Sequence, residues 1–113
     1  MKYISFDFGD CNLYLNQVFF LETTGKITKV LFVEDLIFLL LEPNHATGQR
    51  NVVCYNFSKA YKWAIEPPPD LPGTYGYSSI YFRDDKFCAY TNTGIEVNVD
   101  PNTGKIIDSE FIK

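Results

Sequence analysis

Two stretches of the chain, NVVCYNFSKAYKWAIE at residues 51–66 and IEVNVDPNTGKIIDSEF at residues 95–111, follow the same plan. Each begins with a run of alternating apolar and polar residues, continues through a short polar turn, and ends in a second such run. Alternation with a period of two is typical of β-strands that bury one face. The two stretches therefore predict two similar β-hairpins that are widely separated in the chain.

The residues that precede each hairpin also repeat. TKVLFVED and LIFLLLE, at residues 28–42, are strand-like runs joined by the acidic turn Glu34-Asp35. YSSIYFRD and KFCAYT, further along the chain, are joined in the same way by Asp84-Asp85. Four strands in one order, used twice, form an internal repeat. The equivalent positions are Val30 and Ile80, Ile37 and Phe87, Val53 and Val97, and Asn56 and Asp100.

A third, shorter copy precedes the two complete ones. VFFLETTGKI at residues 18–27 shares its first residue and its last four with VNVDPNTGKI at residues 97–106. The shared Thr-Gly step predicts a positive φ for Gly25 and Gly104. The predicted organisation is a single β domain with a partial unit at residues 1–27, a first complete unit at 28–66, a Pro/Gly linker at 67–76 and a second complete unit at 77–113.

Composition supports the same fold class. A chain of 113 residues fits one domain, and 46% hydrophobic residues suffice for a core without disulfides or metal. The aromatic fraction of 17% favours sheet over helix. We therefore predict an all-β fold of open antiparallel meanders.

The hairpin segments carry a family resemblance. VVCYNFSKAYKWAI resembles the strand pair of quinoprotein-like β-propeller blades, in which an apolar strand ends in Asp or Asn and a Trp follows seven residues later, as Asn56 and Trp63 do. VNVDPNTGKII resembles the Asp-x-x-Thr-Gly-Lys variant of that pair, although Asp108 stands where Trp is expected. The resemblance implies two blade-like units and a partial one, which are too few to close a ring.

An open arrangement leaves edge strands whose backbone groups lack a neighbouring strand. The predicted edges are Lys2 to Phe8 and Lys105 to Ile112. Such edges accept a strand from a partner, or they pair with each other in a homo-oligomer that makes the ring more complete.

The sequence offers little chemistry. The one histidine, His45, lies in a loop without a nucleophile pattern, and we interpret it as a solvated side chain. Asp7 and Asp10 form a carboxylate pair around Gly9, for which a turn is the simpler interpretation. We therefore predict no catalytic residues and no cofactor.

Three cysteines, Cys11, Cys54 and Cys88, are spaced unlike any zinc or redox motif, so we predict free thiols and no metal. The N-terminal residues MKYISFDFGDCN carry acids where a signal peptide is apolar, and the run from Leu36 to Leu41 is too short to span a bilayer. We expect a cytoplasmic protein without a membrane partner.

The net charge of −4 disfavours nucleic acid and suits a basic protein partner. Candidate binding residues are the acidic turns, for steering, and two linker tyrosines, for anchoring: Glu34, Asp35, Asp84, Asp85, Tyr75 and Tyr77. The simpler interpretation is that the turn acids are solvated beside Lys59, Arg83, Lys86 and Lys105, and that the tyrosines pack on the sheets.

Three functions follow as hypotheses. The first is a non-enzymatic immunity protein that neutralises a cognate toxin, such as a basic nuclease; in size, acidity and open β architecture the chain resembles those of bacterial contact-dependent growth inhibition systems. The alternative is a homo-oligomeric β interaction module. The third, an enzyme acting on a small molecule, requires two acids that converge in a pocket around Asp7 and Asp10.

Overall fold

The computed structural model describes residues 5–43, 48–69 and 72–112. Within these ranges the chain forms eleven strands in three antiparallel sheets of three, four and four strands, none of which closes into a barrel. The predicted all-β fold of two four-stranded meanders and a partial N-terminal unit is confirmed. In the same ranges there is no helix that is long and apolar enough to cross a membrane.

Every strand pairs with its neighbour in the chain. The N-terminal sheet consists of β1 (Phe6–Gly9), β2 (Asn12–Leu15) and β3 (Val18–Glu22). The middle sheet consists of β4 (Ile27–Val33), β5 (Leu36–Leu41), β6 (Val52–Asn56) and β7 (Tyr61–Ala64). The C-terminal sheet consists of β8 (Tyr77–Arg83), β9 (Lys86–Thr91), β10 (Ile95–Val99) and β11 (Ile106–Phe111).

The repeat extends to backbone irregularities. In both four-stranded sheets the register of the first pair shifts near the start of its first strand, between Ile27 and Lys29 in one and between Tyr77 and Ser79 in the other. The two-residue turns that follow β4 and β8 both begin at φ 52°, at Glu34 and at Asp84. Positive φ matches the twist of the flanking strands, which is why short hairpins favour it.

The equivalence of Asn56 and Asp100 is also confirmed. Asn56 Oδ1 accepts hydrogen bonds from the N–H groups of Ser58 and Ala60, at 2.9 and 3.0 Å. Asp100 Oδ1 accepts one from the N–H of Asn102 at 2.9 Å. Each side chain therefore closes the turn that follows the third strand of its sheet.

The three sheets stack face to face, and the middle sheet is buried on both faces. One apolar cluster lies between the N-terminal and middle sheets, and includes Leu13, Leu21, Ile37 and Leu39. The other lies between the middle and C-terminal sheets, and includes Phe38, Trp63, Ile80, Phe87 and Val97. A central sheet with two apolar faces explains the uninterrupted apolar run of β5.

Trp63 joins the middle sheet to the last turn of the C-terminal sheet. Its indole Nε1–H donates to the carbonyl of Pro101 at 2.9 Å. A Cβ atom on Gly104 would lie 2.5 Å from the indole ring, and Gly104 has a φ of 77°. This position therefore requires glycine for both backbone conformation and space.

The prediction for Gly25 is wrong, because its φ is not positive. The TTGK step at residues 23–26 does not close a hairpin but carries the chain from β3 in one sheet to β4 in the next. The Thr23 hydroxyl donates to the carbonyl of Gly25 at 2.6 Å and fixes this crossing. The same Thr-Gly-Lys-Ile sequence thus forms a turn within one sheet at residues 103–106 and a crossing between two sheets at residues 24–27.

Candidate partner-binding face

The side of the C-terminal sheet that points away from the middle sheet is polar. Side chains alternate across a strand, and Ile95, Val97 and Val99 of β10 point inward. We call the opposite side the polar face; its residues are Tyr81, Arg83, Cys88, Tyr90, Glu96, Asn98, Asp108 and Glu110.

Glu96 is the centre of the polar face. Its side chain is buried, with 7% of the residue surface exposed. The Tyr81 hydroxyl donates to Oε2 at 2.5 Å, and Arg83 Nη2 donates to Oε1 at 2.6 Å. Both carboxylate oxygens therefore have charge-assisted partners, as a buried carboxylate requires.

The face carries more acids than this arrangement needs. Glu110 lies directly opposite Glu96 on the neighbouring strand, and Asp108 lies opposite Asn98. Like charges in opposed positions destabilise a sheet. Arg83, whose other contact is with Glu96, lies 3.9 Å from a carboxylate oxygen of Glu110 and is half exposed. One guanidinium thus serves two carboxylates.

A cleft of about 170 Å³ opens at this position. Four carboxylates and two cations are among the residues that line it, which are Arg83, Asp84, Lys86, Cys88, Glu96, Asn98, Asp108 and Glu110. The excess of negative charge suits an ammonium or guanidinium group from another molecule.

Tyr81 and Cys88 of the polar face are neutral near neutral pH. Burial, together with the hydrogen bond to Glu96, raises the pKa of Tyr81 above its ordinary value. Burial and the charge of Glu96 raise the pKa of Cys88. Near neutral pH the phenol is therefore a donor and the thiol is protonated, and the negative potential comes from carboxylates alone.

The four predicted turn acids are all exposed, and only Asp84 lines the cleft. Phe38, three residues beyond Asp35, stacks on Phe87, two residues beyond Asp85, with ring centroids 4.2 Å apart. The two acidic turns therefore lie at the same end of the stacked sheets, although Glu34 and Asp35 belong to the middle sheet.

The two tyrosines do not form one anchor. Tyr75 is 74% exposed, and its N–H donates to Asn92 beyond the far end of β9, which is about 20 Å long by strand geometry. Tyr77 is buried, its hydroxyl donates to the carbonyl of Glu66 at 3.0 Å, and burial raises its pKa. The anchoring role of Tyr77 is wrong, because its ring fills the core and its hydroxyl is used internally.

The other candidates form no site in the described residues. Asp7 lines a surface depression with Ser5, Phe6, Tyr14 and Gln17, and Asp10 is not among the residues lining it. His45 lies outside the described residues. In the described ranges no group of three or more His, Cys, Asp or Glu side chains is arranged to hold a metal ion.

Sequence reasoning missed Glu96, Asp108 and Glu110 as a set. The departure of Asp108 from the Trp position was the available signal, and it pointed to a changed surface at the equivalent of Trp63. Extending the repeat alignment from this position to the rest of the sheet would have found the other two.

Comparison with family models identifies a family whose function is unknown. The family model described as a domain of unknown function, DUF7957, matches residues 4–111. No curated protein and no solved structure matches the chain.

Proposed function

We propose that this chain, which belongs to the DUF7957 family of unknown function, is a non-enzymatic module that binds a basic protein partner through its polar face. The observation that carries the proposal is the set of three carboxylates, Glu96, Asp108 and Glu110, on a face whose equivalent in the middle sheet is apolar. A lysine or arginine of the partner relieves the repulsion between opposed acids, so that binding and charge neutralisation occur together.

The class of protein that fits best is a bacterial immunity protein that acts in the cytoplasm, as in contact-dependent growth inhibition. A nuclease toxin presents a positive surface to its nucleic-acid substrate. A small domain with a net charge of −4 that covers this surface excludes the substrate. Neutralisation of the toxin then needs only occlusion and no catalysis.

The acidic turns have a secondary role in this proposal. Asp84 and Asp85 adjoin the polar face, and Glu34 and Asp35 extend the negative potential across the same end of the molecule. Long-range attraction of this kind raises the association rate and weakens as salt is added. The turn acids therefore speed the encounter, whereas the polar face holds the partner.

The test uses the protein encoded by the gene immediately upstream of this one. Its C-terminal domain is co-expressed with the wild-type protein or with the double variant Asp108→Asn and Glu110→Gln. We expect that domain to stop growth, the wild type to restore it, and the double variant to fail, because both substituted side chains are exposed and their loss leaves the fold intact.

The matched control is Glu34→Gln with Asp35→Asn, which removes the same charge from the middle-sheet turn. It should retain rescue, since steering affects rate more than affinity. An upstream domain without toxicity contradicts the immunity proposal, and full rescue by the polar-face variant contradicts the role of that face. Sedimentation of the free protein addresses the homo-oligomer alternative, which a monomer would exclude.

A further inference from the structure

Strand β11 is an open edge beside the polar face. It is six residues long and, among the described strands, pairs only with β10. The corresponding edge strand of the middle sheet, β7, has four residues, and the chain just beyond it is fastened to the C-terminal sheet by the Glu66 N–H, which donates to the carbonyl of Gly104 at 3.1 Å. Glu66 Oε1 also accepts from the N–H of Ile106 at 2.7 Å, so the first residue of β11 is held at the same point. The longer open edge is therefore residues 107–111 of β11.

Backbone geometry identifies the groups that the edge presents. Ile112 donates its N–H to the carbonyl of Gly94 at 2.7 Å, so the backbone of residue 112 points toward β10. In an antiparallel pair the backbone groups of successive residues point alternately toward the partner and away from it. Those of Asp108 and Glu110 therefore point toward β10, and those of Ser109 and Phe111 point outward.

The side chains of β11 form two different rows. Asp108 and Glu110 belong to the polar face. Ile107 and Phe111 lie on the other side and are 62% and 61% exposed. Apolar side chains at this exposure on an edge strand are what native sheets usually avoid. The edge thus offers backbone hydrogen bonds, an acidic row and an apolar row.

We propose that β11 is a docking edge that accepts an extended segment of the basic partner as an additional strand. The segment alternates basic residues, which lie beside Asp108 and Glu110, with apolar residues, which lie beside Ile107 and Phe111. This inference rests on the proposed function and specifies which part of the partner binds and how its side chains alternate.

Charge distinguishes this occupant from a second copy of the chain. In an antiparallel pairing of two β11 strands that sets Ile107 against Phe111, Asp108 of one copy lies opposite Glu110 of the other. Opposed acids destabilise a strand pair, and each copy already carries Glu96 opposite Glu110. A basic segment removes this repulsion, whereas a second copy increases it.

Substitution of Ser109 separates strand addition from simple charge attraction. Ser109→Pro removes an outward-pointing N–H and places a ring on the open edge, while the bonds to β10 remain, since proline is tolerated at such edge positions. Ser109→Ala is the matched control that keeps the N–H. Equal unfolding midpoints for the two variants establish that the fold is unchanged.

The probe is a fluorescent octapeptide that alternates lysine and valine, titrated by anisotropy. We expect equal affinity for the wild type and Ser109→Ala, affinity weaker by about tenfold or more for Ser109→Pro, and no binding of a glutamate–valine octapeptide. A lysine–valine peptide that is methylated on alternate backbone nitrogens lacks the N–H donors for strand pairing and should lose affinity for the wild type to a similar extent. This measurement replaces the one on Ser109→Pro if that variant does not fold.

Equal binding of the peptide by Ser109→Pro and the wild type, or equal binding of the methylated peptide, would overturn strand addition and leave charge-based capture in place. Absence of binding to the wild type would also overturn strand addition. The growth-rescue assay, which uses no peptide, judges the proposed function separately. A dimer of the free protein that Ser109→Pro dissociates would assign the edge to a second copy instead.

Discussion

The face of the middle sheet that packs on the C-terminal sheet and the polar face of the C-terminal sheet occupy equivalent positions in the two repeats. The backbones share strand order, bulge position and turn closure, yet each buried apolar residue of the first face is replaced. The equivalent pairs are Phe38 and Cys88, Leu40 and Tyr90, Val52 and Glu96, Cys54 and Asn98, Trp63 and Asp108, and Ile65 and Glu110.

The difference teaches that one backbone plan serves both to extend a stack and to end it. An apolar face gains stability only when another sheet covers it, whereas a terminal repeat needs a polar outer face for solubility. Solubility alone does not call for three carboxylates on a face with one guanidinium that contacts two of them, and this surplus is the reason why we propose binding at this face.

The largest expected effect comes from the pair Trp63 and Asp108. Trp63→Ala leaves a cavity between two sheets and removes the hydrogen bond to Pro101, so we expect a loss of about 3–5 kcal/mol in the free energy of unfolding. Asp108→Ala, at the equivalent position, should change it by less than about 0.5 kcal/mol. Urea unfolding followed by circular dichroism measures both, and similar losses for the two variants would show that the two faces do not differ in burial.

Gly104 tests how closely the sheets approach at Trp63. Gly104→Ala introduces a Cβ 2.5 Å from the indole at a φ of 77°, for which we expect a loss of about 2–4 kcal/mol. Gly48→Ala is the control, because Gly48 has a φ of 55° and open space around it. Its loss, about 1 kcal/mol, isolates the backbone cost, and an equal loss at Gly104 would mean that the indole moves aside freely.

The fold was predictable because its determinants are local and repeated. Alternation in residues 51–66 and 95–111 indicated the strands, and the acidic turns and Asn56 indicated where they reverse. The Thr-Gly step at Gly25 was misassigned because a dipeptide does not specify whether the next strand returns to the same sheet or crosses to another. That choice depends on which faces are buried, a property of the whole chain.

The candidate site was predictable only in part, for a physical reason. Exposed acids in turns, such as Asp84, are visible in a sequence because turn chemistry places them. Glu96 reads as one polar residue in an alternating strand, and its burial depends on Tyr81 and Arg83 from another strand. The resemblance to propeller blades remains a prediction, and so does the role of Tyr75.

A smaller effect on stability than at Trp63 or Gly104 is expected from exchanging Glu96 for its middle-sheet equivalent, valine. Glu96→Val removes two charge-assisted hydrogen bonds, which is destabilising. It also removes the desolvation cost of a buried carboxylate and the repulsion between Glu96 and Glu110, which is stabilising. Arg83 is half exposed, so its guanidinium is solvated by water after the substitution. We therefore expect a change of at most about 1 kcal/mol in the free energy of unfolding, and a loss of several kcal/mol would make the network structural rather than functional.

The same variant has a spectroscopic consequence at Tyr81. Burial and Glu96 both favour the protonated phenol, so Glu96→Val should lower the pKa of Tyr81, while burial, the larger cause, still holds it above the ordinary value of about 10. Tyrosinate absorbance then appears at lower pH than in the wild type, and Tyr81→Phe assigns the change. In the wild type the raised pKa stabilises the fold below about pH 10, and this contribution is lost as the pH rises through the higher value of the folded state. The control is Glu110→Gln, which leaves the hydrogen bond between Tyr81 and Glu96 in place and should not shift the titration of Tyr81. An equal shift in Glu110→Gln would show that the phenol responds to the total charge of the polar face and not to its hydrogen-bond partner.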